Sequence, residues 1–309
     1  MRDAFAEELE SLISEDERVI FLTGDLGFGV FDSLRKNFPE NFINVGVAEQ
    51  NMTGIAAGLA KEGFKVFTYS IANFSTLRCL EQIRIDAAYH ELNVNVVSVG
   101  GGFSYGPLGM SHHATEDLAI MRALPNVTVI APGTIYEARA STKEIINQHG
   151  VGYLRIDKSF YEDDESKNNP NFKIGKAIRY KDGHDISLFA TGGILEEAMT
   201  AAEELKKINI NSRVTNFHTL KPIDEDEIFS AVRETGGIVT IEEHSVIGGL
   251  GGAVAEVCLE NAAIPKTFKR IGLNDTFSSI VGSQKHLRQR YRMDSKAIVE
   301  AVKENLQLT

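Results

Sequence analysis

Glu49 stands in the string VGVAEQNMTGIAAGLA (residues 45–60), where a short apolar run gives way to helical periodicity. A carboxylate at that junction sits at the carboxyl edge of a strand, the side of a parallel sheet where ligands bind. It could act there as a general acid or base, although a glutamate in a first helical turn also complements the helix dipole. The adjacent His112 and His113 are a second proton-exchanging pair, placed just before a helical pattern that starts at Thr115 and that they could equally cap. Gly248-Gly-Leu-Gly-Gly252 lies between a strand and a helix in the manner of a dinucleotide loop. From Gly249 it reads Gly-x-Gly-x-x-Val, without the third glycine, and no suitable acidic residue follows a second strand. Cys79 and Cys258 have neither disulfide nor metal-ligand spacing and read as reduced core thiols.

The elements that must position these residues follow from periodicity. Short runs rich in β-branched residues (from Val19, Phe42, Lys65, Asn93, Val127 and Gly152) read as buried strands. Helical patterns fall between them at 49–61, 77–91, 115–124 and 134–148. Alternation of this kind predicts an α/β fold with a parallel sheet covered on both faces. The polar stretch YEDDESKNNPNFK breaks the pattern and reads as a linker. The alternation then resumes on a smaller scale, with helices at 195–207, 224–234, 251–261 and 295–305. The expected organisation is a domain over 1–160, a linker over 161–174 and a second, smaller parallel-sheet domain over 175–309.

The 309 residues carry 32 Lys and Arg against 43 Asp and Glu, a formal net charge of -11. Such a surface repels nucleic acid and anionic membranes as a whole. The N-terminus has no signal-peptide pattern and no segment is apolar for ~18 residues, which predicts a cytoplasmic protein with no membrane or nucleic-acid partner.

The string around Glu49 resembles the glutamate motif of the transketolase family, in the domain that holds the aminopyrimidine ring of thiamine diphosphate. The resemblance continues in family order through NFSTLRCLEQIRIDAAYHELNV (73–94), GMSHHATEDLAIMRALPNVTVIAP (109–132) and EEHSVIGGLGGAVAEV (242–257). It implies a pyrimidine-binding fold followed by a transketolase C-terminal-domain-like fold. Glu49 is then a carboxylate in an apolar pocket that shares a proton with the aminopyrimidine ring nitrogen and so activates the cofactor. Phe74 matches the aromatic residue packed on that ring, and Ile71 stands where the family often has a second phenylalanine. His112 matches the family histidine that faces the substrate, His113 stands where glutamine is usual, and Arg155 stands where an arginine binds substrate phosphate. Glu242, Glu243 and His244 read as contact residues, and His218 as a turn or core residue.

Three departures bear on the substrate. Gly106-Pro-Leu108-Gly replaces the family's Gly-Glu-Asp-Gly, removing a carboxylate that contacts a substrate hydroxyl. Gly100-Gly-Gly-Phe-Ser-Tyr105 stands where a phosphate-binding histidine is expected. The Gly-Asp-Gly motif and downstream Asn that anchor the diphosphate through Mg²⁺ are missing, since Gly24-Asp25-Leu26-Gly27 corresponds to a turn of the other domain type. The resemblance therefore implies one subunit of a split transketolase transferring a two-carbon ketol unit from a ketose to an aldehyde. Its partner would be the diphosphate-binding N-terminal subunit, which would hold the Mg²⁺, in a two-plus-two heterotetramer acting on a sugar or other carbonyl substrate. The beta subunit of a 2-oxo acid dehydrogenase and a non-catalytic paralogue are the alternative readings.

Overall fold

Six strands with few polar residues build the first sheet of the computed structural model, which describes residues 1–158 and 172–307. They are β1 (Val19–Thr23), β2 (Phe42–Asn44), β3 (Lys65–Ile71), β4 (Val94–Val99), β5 (Val127–Ile130) and β6 (Val151–Ile156). β1, β4 and β6 are buried along their whole length, as strands covered on both faces must be. All six run parallel in the order β2-β1-β3-β4-β6-β5. The helix Glu49–Lys61 buries Glu49, Met52, Thr53, Ala56 and Ala57, the three-four spacing of a single helical face. The helix Arg2–Glu15 does the same with Phe5, Leu9 and Ile13.

The second half contributes β7 (Ile178–Lys181), β8 (Ile186–Thr191), β9 (Ser212–Asn216), β10 (Thr219–Lys221), β11 (Ile238–Ser245) and β12 (Phe268–Leu273). Five of them form a sheet ordered β12-β11-β8-β9-β7, parallel except for β7. β10 instead crosses back and pairs antiparallel with β5 as the seventh strand of the first sheet. Each sheet is thus parallel with one antiparallel edge strand. Neither edge strand was expected from the sequence, because IRYK and TLK are short and polar and carry no period. The two halves also share side chains. Phe103, from the loop after β4, is buried in the second core and stacks on Tyr291 at 5.5 Å, while Phe217, Leu220 and Leu250 join the core of the first sheet.

The helix expected over 77–91 is corrected. Leu77–Cys79 is a 3₁₀ turn, Leu80–Gln82 one short α turn, and Ile83–Ala88 a widened π turn. The widening keeps Ile83, Ala87 and Ala88 on the core side, and π turns of this kind are frequent at functional sites. Of the expected linker, residues 161–171 lie outside the described residues.

Candidate active site

Glu49 occupies the first turn of its helix at the carboxyl edge of the first sheet, with its side chain only 2% exposed. Its Oε1 accepts a hydrogen bond from Ser70 Oγ at 3.1 Å, near the end of β3. Its Oε2 accepts one from Arg78 Nη1 at 2.9 Å. Gly24, just past β1, completes the seat: a Cβ there would lie in ordinary van der Waals contact with Oε1, at 3.6 Å. The expected apolar pocket therefore also contains a hydroxyl and a guanidinium that hold this carboxylate. Neither Ser70 nor Arg78 was singled out in the sequence, although Arg78 lies inside the 73–94 string.

Phe74 extends the site. The Arg78 guanidinium stands 4.4 Å from the centroid of its ring, and its edge meets the His112 imidazole at 5.2 Å between centroids. His112 in turn contacts Tyr105 at 6.3 Å, and Lys158 Nζ stands 4.2 Å from the Tyr105 centroid. Glu49, Arg78, Phe74, His112, Tyr105 and Lys158 thus form one continuous wall drawn from four separate segments. Asn73 ties two of them together, donating from Nδ2 to the carbonyls of Ser111 and His113 at 3.2 and 2.8 Å. His112 Nδ1 lies 3.0 Å from Ser111 Oγ. Burial, helped by His113, moves the His112 imidazole below its ordinary value, which favours the neutral ring. Burial first, then the nearby Arg2, lowers Lys158.

The remaining expected site residues turn elsewhere. Ile71 is half-buried and packs against the hydrophobic core cluster that includes Phe5, Phe21, Phe31 and Tyr69, immediately before the turn that carries Phe74. His113 is buried, its Nε2 donating to the Gly106 carbonyl at 3.1 Å and its ring edge-on to Phe103 at 5.3 Å. Arg155 is buried too: Nε faces Asp117 Oδ2 across 3.2 Å, and Nη2 donates to the carbonyls of Ala114 and Glu243 at 2.8 and 2.9 Å. Asp117 also accepts from the Tyr153 hydroxyl at 2.5 Å. His113 and Arg155 brace the loop that presents His112 and the junction between the two sheets, while His113 Nδ1 and Arg155 Nε are buried without a hydrogen-bond partner.

The glycine-rich loop at 248–252 opens the helix Leu250–Glu260, but a carboxylate of this chain already sits on its amides. Glu242 Oε2 accepts from Leu250 N at 2.7 Å and Oε1 from Gly251 N at 2.9 Å. Asp25 bonds reciprocally with Asn44, which locks the turn after β1. Both cysteines are buried free thiols. Among the described residues no group of three or more His, Cys, Asp and Glu could hold a metal ion, and no helix is long and apolar enough to cross a membrane.

An aminopyrimidine ring needs a carboxylate for its ring nitrogen and an apolar face for stacking. Glu49 and Phe74 offer both on one wall, so the residues present fit that half of thiamine diphosphate.

Comparison with known proteins gives a consistent result. Residues 1–163 match the family model described as transketolase, pyrimidine binding domain, and residues 175–298 match that of the transketolase C-terminal domain. The chain is 40% identical over 311 residues to the "Putative transketolase C-terminal section" of Methanocaldococcus jannaschii, covering 99% of this chain and 96% of the relative. It is 36% identical over 305 residues to the 6-deoxy-6-sulfo-D-fructose transketolase subunit of Clostridium sp. (strain MSTE9), covering 98% and 94%. A solved structure titled "Split gene transketolase, inactive beta4 tetramer" superposes with a TM-score of 0.88 at 36% identity, over 99% of this chain and 98% of that one.

Proposed function

This chain belongs to the transketolase family, and from that premise we propose that it is the aminopyrimidine-holding subunit of a two-chain, thiamine diphosphate-dependent transketolase. The observation that carries the reading is the buried Glu49 carboxylate facing the Phe74–His112 wall at the sheet edge. Relatives called a C-terminal section and a subunit match this chain over nearly their whole length. The similar chain solved as a beta4 tetramer is described as inactive. Both points support a separate partner that brings the diphosphate- and Mg²⁺-binding domain, in a two-plus-two assembly.

When bound, thiamine diphosphate supplies the carbon nucleophile and the electron sink for cleaving the bond beside a ketose carbonyl. Glu49 holds the ring nitrogen and shares its proton. Phe74 gives the ring an apolar face and keeps water from it. His112, with Nδ1 engaged by Ser111, presents Nε2 to a substrate hydroxyl and takes or returns its proton as the two-carbon ketol unit passes from ketose to aldehyde. Leu108 and Met110, 56% and 52% exposed beside His112, make that stretch apolar where sugar-phosphate transketolases place an aspartate. The substrate is therefore read here without a carboxylate.

The test is Glu49→Gln in the complex reconstituted with the partner. Two-carbon transfer should fall about 10²–10⁴-fold, the usual share of a positioned proton-transfer group, while circular dichroism stays that of the wild type. Undiminished turnover in the folded variant would sink the assignment.

A further inference from the structure

Arg78 makes two contacts that matter together. Its Nη1 donates to Glu49 Oε2 at 2.9 Å, and its guanidinium stands 4.4 Å from the Phe74 ring centroid. These are the two groups that the proposed function reserves for the aminopyrimidine, one for the ring nitrogen and one for the ring face. A guanidinium and an aminopyrimidine are alike in the features that count here, being flat, delocalised and edged with N–H groups. Each can stack on a phenylalanine while bonding a carboxylate, and both cannot fill the same space.

The unloaded chain has a physical reason to keep the arginine there. A carboxylate as buried as Glu49 is costly to leave without a charged donor, and Ser70 satisfies only one of its oxygens. The arginine is less committed than its partner: its side chain is 45% exposed against 2% for Glu49. It is anchored at the head and free to swing into solvent.

We infer that Arg78 is a placeholder for the aminopyrimidine ring, a positioning residue that cofactor binding must displace. It satisfies Glu49 and covers Phe74 until the ring arrives. The inference rests on the proposed function. Its consequence is a linkage: the arginine-closed form cannot take the ring, so apparent cofactor affinity is reduced by the fraction of chains that are open. An arginine that only stabilised the fold would leave that affinity untouched.

The experiment is calorimetric titration of thiamine diphosphate, with Mg²⁺, into the reconstituted two-chain complex carrying wild-type chain, Arg78→Ala or Arg78→Gln. Alanine removes both contacts, whereas glutamine keeps a donor for Glu49 but covers less of Phe74. The alanine variant should bind the cofactor about tenfold tighter than wild type, with glutamine between them. Its unloaded melting temperature should be lower than wild type and should rise more on loading. Equal or weaker affinity in the variants would overturn the inference. If Arg78→Ala does not fold, Arg78→Gln decides by the same criterion. A wild-type complex that takes up no thiamine diphosphate defeats the proposed function as well. A wild-type complex that binds, with variants that do not tighten, defeats the placeholder alone.

Discussion

Three buried titratable side chains away from the site give the protein a definite pH profile. Burial pushes the His218 imidazole down to about 3 and that of His244 down to about 4. Both therefore stay neutral in the folded chain where unfolded histidine takes up a proton. Their contribution to stability is present above the ordinary histidine value of 6.5 and is lost as pH falls toward their folded values. Glu242 behaves oppositely. Burial raises it from 4.5 to about 7 against the helix amides that lower it, so its contribution is complete below 4.5 and is lost as pH rises through 7. Between 4.5 and 6.5 the two histidines weaken the fold as acid rises and the one glutamate opposes them, so stability falls with acid by the histidines' excess. Replacing His218 by Phe should keep the stack on Phe172, now 4.2 Å between centroids, and remove one titrating group. Urea unfolding from pH 4.5 to 7 is the check: the variant's stability should fall less steeply with acid, and parallel slopes would refute the assignment.

Among the elements, the loop after β4 depends on three consecutive glycines that the sequence presented only as a missing histidine. A Cβ on Gly100, whose φ is +96°, would fall 2.2 Å from the Tyr105 ring. One on Gly101 would fall 2.4 Å from Arg155 Nε, and one on Gly102 2.4 Å from Glu243 Oε1. Tyr105, Arg155 and Glu243 all pack against bare backbone, and that packing brings the His112 wall together. Gly101→Ala should thus push Arg155 away from Asp117 and cost about 1–3 kcal/mol, the usual range for overpacking. Chemical denaturation measures it. An unchanged midpoint would mean that the arginine yields without loss.

On the scale of the whole molecule, the second sheet holds the site that the first one carries. Glu243, on β11, accepts from Phe103 N at 2.5 Å and from Gln284 Nε2 at 2.9 Å, and also receives Arg288 Nε. Gly106, in the turn before His112, packs against the Gly282 carbonyl and Leu287. Glu243→Gln keeps the shape and removes the charge that Arg288 faces, so it should cost ~1.5–3 kcal/mol, the scale of a hydrogen bond to a charged group. Activity of the reconstituted complex should fall with it, because the loop from Phe103 to His113 loses its anchor. A lowered melting temperature with full activity would show that the loop holds its shape without β11.

By itself the sequence determined the alternation of strand and helix, the transketolase resemblance and the position of Glu49. Each depends on local periodicity or on a contiguous string of residue types, which is information that chain order preserves. It also placed Phe74 and His112 as separate candidates, and the fold brings their rings to 5.2 Å. Tertiary structure alone decided what surrounds them. Arg78 reaches Glu49 across 29 positions and Glu243 reaches Phe103 across 140, and no periodicity encodes such pairs. The burial of His113 and Arg155 was hidden for the same reason. A histidine or arginine in a motif looks alike whether its polar atoms meet a ligand or backbone carbonyls. Only the packing of β6, β11 and the glycine loop around them shows which carbonyls they meet, because a buried N–H donates to whatever acceptor the fold puts within reach.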